Sequence, residues 1–241
     1  SDGFLIIAGR DASSNEAIVS KYMDENDLFF HSEIPGAPVV IVKNHKNHSW
    51  EDIPETTLHE AAIFGTVYSR SWKMGVSSAD IYYVHPEQVS KSPESGEFLP
   101  KGSFVIRGER NFYRNVRMEI GVGVKLVQGD ISHDQLVKDV DLNEINEMMD
   151  DIENNVNELQ ELHPVIMGGP LKVMEQQASY HVNLVPSRGG MTKGKIASKI
   201  SKMFIHHLNE LVPKYRFQLK NEEIQKWIPS GESRVDQARA S

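Results

Sequence analysis

The 241 residues carry a formal net charge of −8, with 25% charged and 39% hydrophobic side chains and no cysteine. At roughly 100–200 residues per domain this is one large or two modest domains of ordinary globular composition. Without cysteine there is no disulfide scaffold, cysteine-ligated zinc, iron–sulfur cluster or cysteine nucleophile, and a reducing compartment, the cytoplasm, is the expected location. No apolar run approaches the roughly 18 residues of a membrane-spanning helix, so no membrane partner is expected. The start, Ser1-Asp2-Gly3, is no signal peptide and holds no Met, and the chain is expected to be a segment of a longer protein.

Residues 1–127, with 13 basic and 17 acidic side chains, alternate strand-like and helix-like stretches. Phe4–Ala8 is a short apolar run closed by Gly9 and reads as a strand. Ser13-Ser14 can cap a helix to about Met23, with Ala17, Ile18 and Tyr22 on one face. Leu28–His31 and Val39–Val42 read as strands separated by the turn signal Pro35-Gly36. Thr57 and Glu60 have capping-box spacing and open a helix to about Met74, which Gly75 ends. Ile81–Val84 and Ser103–Arg107 are strand-like. Over Asn115–Leu126, Val116, Met118, Ile120, Val122, Val124 and Leu126 alternate with Arg117, Glu119, Gly121, Gly123 and Lys125, which predicts one long strand with a polar face. Helices interspersed with antiparallel strands make this an α+β domain with a mixed, largely antiparallel sheet.

Residues 128–163 hold 11 acidic side chains against 1 basic one. Leu142, Ile145, Met149, Ile152, Val156 and Leu159 repeat at steps of three and four, predicting an acidic linker helix that His163-Pro164 stops. Residues 164–241 reverse the sign, with 12 basic and 6 acidic side chains, and read as a small α+β C-terminal domain. Ser179–Val185 is a strand and Pro186–Gly190 a turn. Thr192 can cap a helix to about Leu211, with Ile196, Ile200, Met203, Phe204 and Leu208 on its apolar face. Tyr215–Leu219 reads as a strand, Asn221–Trp227 as a short helix, and the tail after Gly231 as frayed.

Gly189-Gly190-Met191-Thr192-Lys193-Gly194-Lys195-Ile196 nearly matches the phosphate-binding pattern G-x-x-x-x-G-K-[ST]. Ile196 lacks the hydroxyl that such loops place on magnesium, so nucleotide hydrolysis is not expected. What survives is a basic stretch: Arg188, Lys193, Lys195, Lys199 and Lys202, with no acid between Ser187 and Ile205. The pattern suits either nucleic-acid phosphate beside a helix N-terminus or a solvated helix face. His45, His48 and His59 lack a carboxylate partner set and read as surface histidines rather than zinc ligands. His206 and His207 point about 100° apart on a helix and read as surface residues too. Asp11, Glu16 and His31 could assemble a hydrolase only if the fold brought them within hydrogen-bond reach. The alternative is that Arg10, Asp11 and Asn15 organise a strand-to-helix turn. Lys101, Arg107, Arg110, Arg114, Arg117 and Lys125, interleaved with Phe112 and Tyr113, fit base stacking and phosphate contact as well as they fit a tight turn. No motif implies a metal or a cofactor.

Several dispersed blocks then resemble a known family. Gly9-Arg10-Asp11-Ala12-Ser13-Ser14-Asn15-Glu16, Lys21-Tyr22, Asp27, Phe30-His31, Gly36-Ala37 and Val42-Lys43-Asn44 are similar to the NFACT-R domain. So are Thr57-Leu58-His59-Glu60-Ala61-Ala62, Ser71-Trp72, Pro86-Glu87-Gln88-Val89-Ser90-Lys91, Ser95-Gly96-Glu97-Phe98-Leu99 and Gly102-Ser103-Phe104-Val105-Ile106-Arg107-Gly108. Tyr180-His181-Val182-Asn183-Leu184-Val185-Pro186 and Lys193-Gly194-Lys195-Ile196-Ala197 more weakly resemble the NFACT-C domain. Together they look like the C-terminal part of an archaeal member of the NEMF/RqcH family.

The resemblance implies an RNA-binding domain over residues 1–127, an acidic linker over 128–163 and an NFACT-C-like basic domain over 164–241. It implies a non-enzymatic role in ribosome-associated quality control. Members of the family bind the large ribosomal subunit with a stalled peptidyl-tRNA and recruit tRNA for C-terminal tailing. The expected partners are therefore large-subunit RNA and tRNA, with ribosomal or quality-control proteins as further candidates. Arg10, Asp11, Asn15, Glu16, His31, Lys43, Asn44 and Arg107 are the expected RNA contacts of the first domain. Arg188, Lys193, Lys195 and Lys199 make a second patch. The alternative is a protein–protein scaffold that recruits quality-control partners through the stripe Ile145–Leu159.

Overall fold

The apolar runs of the first half of the chain build an antiparallel sheet covered on both faces. The computed structural model describes residues 2–34, 36–44, 49–92, 98–128, 138–139 and 162–240. Its first sheet contains β1 (Leu5–Ala8), β2 (Leu28–His31), β3 (Val40–Lys43) and β4 (Ser78–Val84). The two-residue β5 (Val89–Ser90) and β6 (Val105–Ile106) pair with each other, and β7 (Asn111–Arg117) completes the main sheet. The strand order is β1-β3-β2-β4-β7, with every pairing antiparallel. Helix α1 (Ala12–Ala17) runs into a π-helical turn, Ile18–Tyr22, and α2 (Glu55–Val67) is followed by α3 (Arg70–Lys73).

Successive side chains of a strand point to opposite faces. Leu28, Phe30, Val40, Val42, Ile81 and Val116 pack with Leu58, Ala61 and Ala62 of α2. Phe29, Ile41, Tyr82 and Val84 pack on the other face with Ile18, Val19 and Phe104. Both faces being covered, Leu28–His31 and Val40–Lys43 are apolar runs rather than alternating ones.

Local chemistry shifts several boundaries. Asp11, not a serine, caps α1: its Oδ1 accepts the Ser14 N–H at 2.8 Å, and Ser14 Oγ accepts the Asp11 N–H at 2.9 Å. The helix expected over residues 57–74 begins at Glu55 and is broken, because Ser69 Oγ accepts the Ser71 N–H and starts α3 afresh. Gly75, at φ +70°, closes α3 as expected.

The single strand expected over Asn115–Leu126 is two strands in two sheets. Asn115 stands at φ +54°, in a bulge that sets Arg114 and Asn115 against Asp80. After Arg117 the chain leaves β4, and β8 (Ile120–Gln128) enters a second sheet. That sheet holds β9 (Lys138–Asp139), β10 (Leu162–Gly169), β11 (Tyr180–Met191) and β12 (Ser233–Ala240), in the order β10-β8-β11-β12 with β9 on β8. Gly121 and Gly123 are not part of a polar face. They are buried where α4 (Leu171–Gln177) and its end come in, since a Cβ there would lie 2.4 Å from Met174 and 2.5 Å from Ala178.

Other expectations are corrected further along. Leu162-His163-Pro164, expected as a stop signal, lies in β10, an edge strand, where proline is tolerated. The turn expected at Pro186–Gly190 is the second half of β11. The tail expected to fray after Gly231 is β12. Tyr215–Leu219 forms no strand; the Phe217 N–H turns to Asn209 Oδ1 instead. Helix α5 (Lys193–Leu211) begins after Thr192 as expected and buries Ile196, Ile200, Phe204 and Leu208, and α6 (Asn221–Gln225) packs on it. The acidic stripe 142–159 lies outside the described residues, as do His45 and His48.

The chain divides into two compact units. One gathers Ser1–Ile120, Val185–Gly190 and Pro229–Arg234; the other gathers Gly121–Leu184, Met191–Ile228 and Val235–Ser241. Among the described residues no helix is long and apolar enough to cross a membrane.

Candidate nucleic-acid interface

Strand register aligns three rings across one end of the first sheet. His31 of β2 stands opposite Tyr82 of β4, and Tyr82 opposite Phe112 of β7. The His31–Tyr82 and Tyr82–Phe112 centroids are 6.4 and 5.6 Å apart, both edge to face. Residues 110, 112 and 114 alternate onto one face of β7. The Arg110 guanidinium lies 4.9 Å from the Tyr82 centroid, and that of Arg114 lies 3.7 Å from the Phe112 centroid. Each arginine also meets a carboxylate: Arg110 pairs with Glu33, and Arg114 with Asp80 at 2.7 Å. The Arg114 hydrogen bond, with that from the Asn115 N–H, holds the Asp80 carboxyl below its ordinary range. Burial pushes the Tyr82 phenol up.

The motif around residues 9–16 meets this row through two residues of the β3 approach. His31 Nδ1 lies 3.1 Å from the Pro38 carbonyl, which can only accept, so Nδ1 carries the proton. Burial lowers the His31 pKa, more than the Pro38 contact raises it. The neighbouring Val39 gives its N–H to Asn15 Oδ1 at 3.1 Å and accepts the Gly9 N–H at 3.0 Å. Asn15 is buried, whereas Arg10 and Asp11 are exposed. The Ser14 amide and hydroxyl hold the Asp11 carboxyl low. Glu16 Oε1 accepts the Gly102 N–H at 3.3 Å. Among the described residues no hydrogen bond joins Asp11, Glu16 and His31; each is committed elsewhere, and they assemble no acid–base site.

Residues 1–108 match the family described as the NFACT protein RNA binding domain. Over 130 residues the chain is 49% identical to the archaeal Rqc2 homolog aRqcH of Methanocaldococcus jannaschii, covering 54% of this chain and 19% of that protein. Residues 1–108 thus form an NFACT-R domain, similar to that of the archaeal and eukaryotic ribosome quality control proteins. The ribosome quality control complex subunit NEMF homolog of Drosophila melanogaster is 41% identical over 124 residues, 52% of this chain and 12% of its own. The human subunit NEMF is 40% identical over 112 residues, 46% of this chain and 10% of its own. The matched region is thus a small part of each relative.

Within the NFACT-R domain, the remaining candidates part company with the ring row. Lys43 and Asn44 lie at the other end of β3 from Pro38 and Val39. Lys43 Nζ donates to the Tyr22 carbonyl and Asp24 Oδ2, each at 2.6 Å, and to Asp27 Oδ2 at 2.5 Å. An ammonium has three donors, and all are taken. Burial alone would lower the Lys43 pKa; the hydrogen bonds and charges of Asp24 and Asp27 raise it overall. The Asn44 N–H goes to the same buried carboxylate, Asp27 Oδ1, at 2.9 Å. These residues pin a strand end. Arg107 is exposed between β6 and β7, where Gln88 Nε2 grips its carbonyl and that of Glu109, both at 2.8 Å.

Arg188 is exposed and donates from Nε to the Met74 carbonyl at 3.1 Å. The next N–H, that of Gly189, is taken by Glu232 Oε2 at 2.8 Å. A carboxylate therefore stands where a phosphate-binding loop would hold its anion, inside a strand rather than a loop. Lys193 is half-buried, and burial lowers its pKa. Lys195 and Lys199 are exposed on α5, away from Ile196 and Ile200. These lysines belong to the second unit, and Arg188 to the first.

His206 is exposed beside Glu210 as expected, but His207 is not a free surface residue: it stacks on Tyr180 with centroids 4.8 Å apart. His59 is exposed near the Tyr113 ring. Among the described residues no group of three possible ligands could hold a metal. Sequence reasoning grouped Arg110, Phe112 and Arg114 within a wider basic set but missed Tyr82, which joins them. The signal was the period-two spacing Arg110, Phe112, Arg114; the Tyr82 half required the register.

Proposed function

We propose that the NFACT-R domain binds RNA at the sheet end built from His31, Tyr82, Arg110, Phe112 and Arg114, with the exposed Arg10 as a further contact, and that the chain serves ribosome-associated quality control. The match of residues 1–108 to an RNA-binding domain family carries this reading. Two relatives named as ribosome quality control subunits support its setting. On this reading the chain docks on the large ribosomal subunit with a stalled peptidyl-tRNA and supports tRNA recruitment for C-terminal tailing, in the cytoplasm. The role is binding without catalysis: arginine and lysine neutralise phosphates and position the protein, and base-directed contacts add to that. Lys195 and Lys199, with Lys193 at the start of the same helix, are a second phosphate contact in the proposal.

Binding of the chain to tRNA and to isolated large ribosomal subunits at two salt concentrations tests the reading. Affinity is expected to fall with salt in proportion to the number of phosphates neutralised. No binding to either at low salt overturns it.

A further inference from the structure

We propose that Arg110 and Arg114 are the phosphate-binding pair of the NFACT-R domain, and that Glu33 occupies Arg110 in the free protein and is displaced by RNA. This rests on the RNA-binding reading and specifies where the backbone docks and what it replaces. A guanidinium laid on a ring is held flat, with its back shielded and its in-plane N–H donors turned outward. Both guanidinium groups lie over a ring of one cross-strand row, Arg110 at 4.9 Å from the Tyr82 centroid and Arg114 at 3.7 Å from that of Phe112. Each spends only one terminal nitrogen on its carboxylate, and the Arg110 and Arg114 side chains remain 33% and 58% exposed. Among the described residues the other donors make no hydrogen bond and are open to a phosphate, which matches the guanidinium fork as a carboxylate does.

The two carboxylates differ in what else they do. Asp80 also accepts the Asn115 N–H at 2.8 Å, so it fixes the bulge that aims Arg114. Glu33 is 63% exposed and meets Arg110 alone among the described residues. Exposed ion pairs of this kind contribute little in water. A phosphate brings the additional gain of counterion release and can take the place of Glu33. Glu33 thus tunes affinity and keeps Arg110 beside Tyr82 until RNA arrives, while Asp80 is retained in the complex.

A labelled tRNA, titrated by fluorescence anisotropy at two salt concentrations against the whole chain, tests this. Glu33→Gln is expected to tighten binding by about threefold, the worth of one exposed ion pair. Arg110→Gln and Arg114→Gln are each expected to weaken it by about tenfold and lower the salt slope by about one. Glu33→Gln placed on Arg110→Gln is expected to add nothing. Arg110→Lys keeps the charge without the planar fork, and an intermediate loss from a folded variant separates phosphate contact from lost packing. Wild-type affinity and slope in the folded Arg110→Gln/Arg114→Gln variant overturn the phosphate pair. Unchanged affinity in Glu33→Gln overturns the exchange. A wild-type chain that binds no RNA overturns the functional reading itself.

Discussion

The Asn15 carboxamide oxygen occupies the space of a Gly9 side chain: a Cβ on Gly9 would lie 2.0 Å from it. From that position Asn15 receives the buried Val39 N–H, and the turn between β1 and α1 is locked to the start of β3. Gly9→Ala is therefore expected to displace Asn15 and break this bond, at a cost of about 1–3 kcal/mol in urea unfolding with an unchanged m value. Asn15→Ala leaves the Val39 N–H unpaired and costs a similar amount. In the double variant the clash with the side chain is gone, so the two costs are expected to sum to less than their separate values. Strict additivity would show that the close approach does not govern the turn.

Trp72 and Ser233 pose a second test. The Trp72 indole N–H donates to Ser233 Oγ at 3.0 Å, and both residues are fully buried although 161 positions apart. Around them Gly231 packs on the Lys73 backbone and Arg188 on Gly75. Ser233→Ala orphans a buried donor and is expected to cost about 1–3 kcal/mol. Ending the chain at Ile228 uncovers Trp72, and a lower melting temperature with red-shifted tryptophan fluorescence is the expected readout. A truncated chain with unchanged melting would mean that the Pro229–Arg234 segment does not support the first unit.

Much of this fold is legible one residue at a time. Leu28–His31, Val40–Lys43 and α5 declare themselves because their own apolar pattern matches their burial. The break after Arg117 does not, because Val116 to Leu126 alternates smoothly while the chain changes sheets; a bulge opposite Asp80 is a property of the partner strand. Gly121 and Gly123 look polar in a pattern of apolar and non-apolar residues, yet they are where Met174 and Ala178 approach. Strand β12 has little hydrophobicity of its own and exists by pairing with β11. The candidate site divides in the same way. Asp11 acts locally, on Ser14, and is readable as a turn organiser, whereas Asn15 reaches Val39, 24 residues on, which its own neighbourhood does not announce. Lys43 looks like an available cation until Asp24 and Asp27 close on it, and His31, Tyr82 and Phe112 become neighbours only through register.

His31 gives the domain a pH dependence of definite sign. Burial lowers its folded-state pKa from the ordinary value of 6.5. The unfolded chain therefore binds a proton first as pH falls, and protonation favours unfolding. The His31 contribution is complete above pH 6.5 and is lost as pH falls from there through the lowered folded-state value. His181 and His207 are lowered by burial as well and act in the same direction. His31→Gln is expected to flatten, without abolishing, the fall in stability between neutral and mildly acid pH. In the wild type, the His31 imidazole NMR shifts are expected to show the neutral Nδ1–H form at pH 6.5. A half-protonated His31 at that pH would remove it from this account.

The lysines of α5 separate the two proposed patches. Lys195 and Lys199 are exposed on the side of the helix away from Ile196 and Ile200, so Lys195→Gln/Lys199→Gln is expected to leave stability within about 0.5 kcal/mol. If both touch phosphate, the slope of log affinity for tRNA against log salt is expected to fall by about one for each. Lys193 makes a poorer probe, because burial already lowers its pKa and its removal also disturbs packing at the start of the helix. The double variant therefore isolates charge from structure. An unchanged affinity and slope, with Arg110→Gln still weakening binding, would confine the nucleic-acid surface to the NFACT-R sheet end and leave the basic face of α5 as a solvated one.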